Sequence, residues 1–291
     1  MDLITVGDVM MDVRTDAPAL ARGGDVHGRV WLAPGGTSAN AAVWAAWAGA
    51  SARVVARVGD DLPGRLLEVS LAERRVEPAL RFDPEAPTGT MLVVVEAGER
   101  SMVSDRGANA RLASDDLPPT LGAGAVLVSG YLVLHPATSE VALEAVRRAR
   151  APFVAVDAAS WPLLEGFGVD RFLDGVGAAG ATALMANERE AEVLTGLEGA
   201  DAARALGARF PLAAVKRGPA GAVLVVDGVC VDAPGEPVDE ADPTGAGDAF
   251  DGVLLGSLAR GAEPDDALRR ACHAGALVAA NEGTWPAGGA M

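Results

Sequence analysis

The chain has 291 residues, half of them apolar and 22% charged, and a formal net charge of −16. That length supports a substantial core, and the composition is ordinary for a globular protein. So acidic a chain is a poor partner for nucleic acid or an anionic membrane surface, although local backbone donors can still hold a nucleotide. It shows neither an apolar run long enough to span a bilayer nor a basic-then-apolar leader, so a soluble cytoplasmic protein is expected.

The first apolar run, Leu3–Val6, reads as a strand. Asp12 follows it, and parallel sheets take ligands beyond the carboxyl ends of their strands, where a carboxylate can accept two hydroxyls. Asp8, nearer the strand, is expected to satisfy backbone donors. Residues 13–31 are polar and irregular. Gly35 and Gly36 then let the backbone approach a ligand closely, and Asn40, at the head of a helix over 39–48, can both donate and accept. A strand over 53–58 and a helix over 62–74 follow. Residues 90–104 read as a β-hairpin turning at Ala97-Gly98-Glu99-Arg100, after which Arg106 returns toward the first strand end, as a ligand contact or a plain surface arginine.

Further strands are expected at Ala125–Val128, 153–156 and 182–185, with a helix over 138–150 that Ser139 can cap. Gly175-Val176-Gly177-Ala178-Ala179-Gly180 satisfies GxGxxG but precedes a strand, so it is read as a loop. Asn187 can cap the helix after residue 185, with Glu190 returning to its N–H in a capping box. A strand over 212–215 leads to Lys216, the only lysine. The turn containing Gly218 and Gly221 admits either close approach to phosphates or a simple hairpin into Ala222–Val226. This alternation of strands and helices implies a parallel, doubly wound sheet.

The densest signal is Ala241-Asp242-Pro243-Thr244-Gly245-Ala246-Gly247-Asp248-Ala249-Phe250, which opens an apolar helix. Small residues leave the first N–H groups uncovered, and a helix start favours an anion. The N–H groups of Gly245, Ala246 and Gly247 would stabilise charge on a phosphoryl group, and Asp248, kept ionised by the helix end, would take the proton of an attacking alcohol. The plainer reading is a glycine-rich turn capped by Asp242 or Thr244. The sequence lacks GxxxxGK[ST] and GxSxG, and His27, His135 and His273 lack metal-ligand spacing. Cys230 and Cys272 read as buried thiols.

At the DPTGAGD run the chain resembles the ribokinase-like (PfkB) family of carbohydrate kinases, whose signature is close to DTxGAGD. Gly35-Gly36-Thr37-Ser38-Ala39-Asn40 is similar to the family's GGxxxN segment, and Arg57-Val58-Gly59-Asp60-Asp61-Leu62-Pro63-Gly64 to its vGxDxxG stretch. The resemblance implies a ribokinase-like α/β fold: a doubly wound, mostly parallel sheet with a small β-sheet lid. Its core would take residues 1–12, 34–89 and 106–291, and the lid about 13–33 and 90–105; in the family such a lid covers the sugar and often supports a homodimer.

The resemblance also implies that Asp12, Gly35, Gly36 and Asn40 hold the sugar. Asn187-Glu188-Arg189-Glu190 looks like NxxE, with Asn187 facing phosphates and Glu190 acting on Mg2+ through water. Lys216-Arg217-Gly218-Pro219-Ala220-Gly221 resembles the nucleotide-binding TxGxxG, with lysine in place of threonine, and His273 would border the adenine. Asp242 matches a position that helps hold a monovalent cation through nearby carbonyls; Asn281-Glu282-Gly283-Thr284 fits the rest of that site poorly, so K+ is only a candidate beside ATP and Mg2+. Thr37 replaces a lysine of ribokinases proper, and no acidic residue accompanies Ser129-Gly130-Tyr131, which argues against ribose. The expected activity is ATP-dependent phosphorylation of a hydroxymethyl group on a sugar or sugar-like alcohol. The alternatives are a nucleoside kinase, a keto-sugar-acid kinase using Arg106, and a non-catalytic sugar or nucleotide sensor.

Overall fold

Alternate residues along the strands supply two separate cores, and this places a sheet in the middle of the molecule. Ile4, Val6, Val126, Val128, Leu184 and Ala186 join one buried cluster, while Leu3, Ala125, Leu127, Ala183 and Met185 join the other. A strand covered on both faces reads as a continuous apolar run, which is how these segments appear in the sequence. The computed structural model describes all residues except 16, 18–22, 97–98 and 288–291, and not the side chains of 95, 96, 99 and 100.

Among the described residues the main sheet has nine strands. Its order is Val229–Ala233, Ala222–Val226, Leu212–Lys216, Ala183–Asn187, Phe153–Asp157, Ala125–Val128, Leu3–Val6, Ala52–Gly59 and Val76–Asp83. Pairing is parallel except at the first two neighbours, which are antiparallel hairpins. Helices Ser139–Arg148, Val169–Ala179, Glu188–Thr195 and Gly199–Gly207 cover one face; Thr37–Trp47, Leu62–Glu73, Ala246–Ala259 and Pro264–Ala279 cover the other. Asp61 caps Leu62–Glu73, accepting the Gly64 N–H at 2.9 Å.

A second sheet of four strands runs Val30–Gly35, Met10–Thr15, Thr90–Glu96, Glu99–Asp105. Its outer pairs are antiparallel and its central pair parallel. The stretch read as irregular therefore carries strand at both ends, because its partner is the distant segment that starts at Thr90. Of the expected hairpin turn, Ala97 and Gly98 lie outside the described residues.

Other details differ from expectation. Ser139 begins its helix without capping it; Thr138 is the N-cap residue, and its hydroxyl donates to the Leu132 carbonyl at 2.8 Å. Residues 175–179 belong to helix Val169–Ala179, and Gly180 ends it in the left-handed region (φ 104°). The GxGxxG match thus marks a helix end, where a glycine relieves the Cβ clash. Cys230 is exposed on the edge strand of the main sheet, and Cys272 is half-buried in helix Pro264–Ala279.

Candidate active site

The carboxyl ends of the central strands deliver polar side chains to one cleft of about 830 Å3. Gly7 and Asp8 follow Leu3–Val6, and Asp157, Asn187 and Lys216 are the last residues of their strands. Lid strands close one end with Asp12, Met91, Val93, Met102 and Ser104. From the other side come Gly36, Asn40, Gly218, Gly221 and the turn from Gly245 to Asp248.

Helix Ala246–Ala259 starts at Gly245, which holds φ 84° as its N-cap, so Asp248 stands in its first turn. The Asp248 carboxylate accepts the Asn40 amide N–H at 2.8 Å, and the Asn40 oxygen accepts the Trp285 indole N–H at 2.9 Å. Burial raises the Asp248 pKa to about 7 against the Asn40 hydrogen bond; Asp157 and Asp12 also push it up, and Lys216 pulls it down. The expected ionising pull of the helix end is therefore outweighed by desolvation. Of the three expected anion donors, the Ala246 N–H is taken by the Pro243 carbonyl at 3.1 Å, since the proline turn closes on itself.

Lys216 Nζ bridges Asp157 (2.9 Å) and both oxygens of Asp251 (3.1 and 2.9 Å). Burial alone would lower its pKa, but Asp157, Asp251 and Glu190 outweigh it and raise it. Three carboxylates around one ammonium leave an excess of negative charge. Accordingly Glu190 is pushed up to about 7 by burial and then by Asp157, and burial also raises Asp251. Lys216 also lies beside the glycine turn: a Cβ on Gly247 would stand 3.4 Å from Nζ.

Asn187 and Glu190 form the reciprocal capping box: the Asn187 backbone N–H and side-chain amide donate to the carboxylate at 2.8 and 2.7 Å, and the Glu190 N–H donates back at 2.9 Å. Gly221 (φ 89°) is required in its turn, because a Cβ there would lie 2.0 Å from the Ala233 carbonyl oxygen. Gly218 and Gly221 thus join the hairpin and the cleft at once.

At the lid end, burial raises Asp12 to about 6, with Arg14 opposing and Asp242 adding. Gly35 packs under it; a Cβ there would come within 2.8 Å of the carboxylate. Among the described residues Asp8 serves Arg106 in place of backbone donors, accepting from Nη2 at 2.7 Å and Nε at 3.2 Å. Arg106 Nη1 is buried and has no partner among the described residues. Asp242 lies behind the glycine turn, where it meets the Arg14 guanidinium and the Thr244 hydroxyl (2.5 Å). Burial opposes its ionisation, but Thr244 and Arg14 prevail and lower its pKa.

His273 is not part of the cleft wall: its Nδ1 lies 2.8 Å from Glu236 Oε2 at the rim. Cys272, Gly275, Ala276 and Ala279 share the inward face of that helix, and position 273 turns away from it. Sequence reasoning missed Asp157, Asp251, Arg14 and Trp285. Only Asp251 left a signal, three residues beyond Asp248 on the same helix. Among the described residues, no group of three or more His, Cys, Asp or Glu side chains could hold a metal directly.

The family model described as pfkB family carbohydrate kinase matches residues 1–287. A fructokinase of Klebsiella pneumoniae is 32% identical, the match covering 94% of this chain and 92% of that protein. The adenosine kinase of Sinorhizobium meliloti superposes with a TM-score of 0.86 at 22% identity, over 98% of this chain and 95% of that one. A Vibrio cholerae fructokinase, solved as a double mutant with fructose, ADP and potassium ion bound, gives 0.79 at 26% identity, over 98% and 94%.

Proposed function

The chain belongs to the pfkB family of carbohydrate kinases, and we propose that it transfers the γ-phosphoryl group of ATP to a hydroxymethyl group of a neutral sugar or sugar-like alcohol. One observation carries this reading: Asp248, with a pKa of about 7, stands at a glycine-turn helix start and is held by Asn40 inside the cleft. A carboxylate poised near the working pH suits proton abstraction from an alcohol. A binding protein has no need of such a base, which counts against a sensor.

The proposed roles follow the geometry. Asp12 and Asn40 orient the acceptor hydroxyls, with Gly35 and Gly36 leaving room for them. Arg106 is neutralised by Asp8, which favours an uncharged acceptor over a keto-sugar acid; its buried Nη1 suits a hydroxyl. Asn187, Lys216, Gly218 and Gly221 would line the path of the phosphates, Lys216 acting there by its charge because Asp157 and Asp251 take its N–H groups, and the Gly245–Gly247 turn would receive the transferred group. Glu190 suits a magnesium ion reached through water, since no direct ligand cluster exists among the described residues. Potassium would be held by carbonyls near Asp242, whose carboxylate already meets Arg14; a K+ titration belongs in the same assay. Such a reaction fits the cytoplasm, and none of the described helices is long and apolar enough to cross a membrane.

A nucleoside acceptor is the second reading, because Met10, Met91, Val93 and Met102 give the lid end an apolar wall that suits a base. The test is acceptor-dependent ADP release from Mg-ATP with ribose, fructose, 2-keto-3-deoxygluconate, inositols and nucleosides. Turnover is expected on one neutral acceptor, falling by about a thousandfold in Asp248→Asn. Silence on every acceptor while ATP still binds would overturn the reading.

A further inference from the structure

We infer that Trp285, in the segment after the last helix, is a positioning residue for the transfer: its indole N–H locks the Asn40 amide so that the amide N–H, not its oxygen, faces the Asp248 carboxylate. The inference rests on the reading of Asp248 as the base. An indole nitrogen can only donate, so the Asn40 atom 2.9 Å from Trp285 Nε1 must be the oxygen. The amide nitrogen is thereby directed to Asp248, 2.8 Å away. Without that donor the amide can turn over and set its oxygen against the carboxylate.

The segment that carries Trp285 is held at several points. Thr284, just before it, accepts the Trp44 indole N–H on its carbonyl (2.8 Å), and its hydroxyl donates to the Pro34 carbonyl (3.3 Å). Pro286, just after it, accepts from Arg74 at 2.6 Å. Trp44 stands one helical turn beyond Asn40, so the segment crosses helix Thr37–Trp47 at both residues. Thr284 also abuts the glycine turn: a Cβ on Gly245 would lie 3.1 Å from its side chain. Trp285 itself does not line the cleft. Its influence on the reaction therefore passes through Asn40.

The charged groups that act on Asp248 come from other elements: Asp12 from the lid, and Asp157 and Lys216 from their strand ends. Among the described residues none of them is hydrogen-bonded to Trp285, whose indole N–H goes to Asn40, so a change in the pH profile of a Trp285 variant reads the amide. With the acceptor found above, Trp285→Phe is expected to lower kcat about tenfold while leaving KM for ATP unchanged. The low-pH limb of kcat/KM should move up by about one unit, since Asp248 loses its aligned donor. In an Asn40→Ala background the same substitution should add nothing. A wild-type pH limb in Trp285→Phe, or an undiminished effect in that background, would overturn the inference. Wild-type protein gives a second readout that needs no tryptophan variant: the Trp285 indole signal in NMR should titrate with the midpoint of that limb and lose the titration in Asp248→Asn. A flat signal in an active enzyme overturns the lock alone. A titrating signal in a protein inactive on every acceptor upholds the lock and overturns the catalytic reading.

Discussion

Asp248 is set by two opposed influences meeting on one carboxylate: burial makes the charge costly, and the Asn40 N–H and the Lys216 ammonium return part of that cost. The sign of the pH dependence follows. Below about 7 the group is protonated and cannot accept the alcohol proton, so kcat/KM should rise as pH climbs through that value and then level. Glu190 titrates in the same range. A pH–rate series separates the two: Glu190→Gln should keep the rising limb, whatever its cost in rate, whereas Asn40→Ala should move the limb upward. A limb that vanished in Glu190→Gln would hand the titration to that residue. Asp248, Asn40, Lys216 and Gly221 were legible as cleft residues because each lies at a helix start, a strand end or a turn that its neighbours dictate. Trp285 and Arg14 were not: they act on residues 245 and 228 positions away. No local pattern announces such a crossing. Helical spacing alone put Cys272 and Gly275 on the cleft wall in place of His273.

Between elements, Asp248 and the Asn40 amide lie on different helices, so their separation depends on how closely Thr37–Trp47 and Ala246–Ala259 approach. Gly252 sets that approach, since a Cβ there would stand 2.0 Å from the Ala41 carbonyl oxygen. The obstacle is backbone and cannot swing aside. Gly252→Ala should therefore destabilise by about 2 kcal/mol, because overpacking exceeds the gain of about 1 kcal/mol in helix propensity. Gly177 is its control: it lies inside helix Val169–Ala179, and nothing stands within 4 Å of the place a Cβ would take. Gly177→Ala should stabilise by up to about 1 kcal/mol. Denaturant melts of the pair check both signs, and loss of stability in both would mean that the close approach is not what distinguishes Gly252. Most strands of the main sheet were legible through their apolar runs; Val76–Asp83 and Val229–Ala233 were not, because polar residues interrupt both. Of the lid strands, the hairpin of Thr90–Glu96 and Glu99–Asp105 was legible, whereas Met10–Thr15 and Val30–Gly35 were not, because Met10–Thr15 finds a partner in a segment that begins at Thr90.

For the whole molecule, the lid sheet has two faces of different character. Asp12, Met91, Val93, Met102 and Ser104 point into the cleft, and strand alternation sends their neighbours outward. Leu32, Val13, Leu92 and Val103 form one cross-strand row on that outer face. Leu32 is 57% exposed, Leu92 41% and Val103 66%. An apolar row of this kind on a small sheet suits burial against a second copy, and pairing two such faces would offset the cost of exposing it. Light scattering at micromolar protein is expected to give a dimer, and Leu92→Glu with Val103→Glu a monomer. Because the opposite face of the same strands walls the end of the cleft proposed for the acceptor, freeing the lid should raise KM for the acceptor more than KM for ATP. A wild-type monomer with full activity would show that the outward row serves no second copy, and that the inner face is held by its own hydrogen-bond ladder and by the Arg14–Asp242 pair at its base.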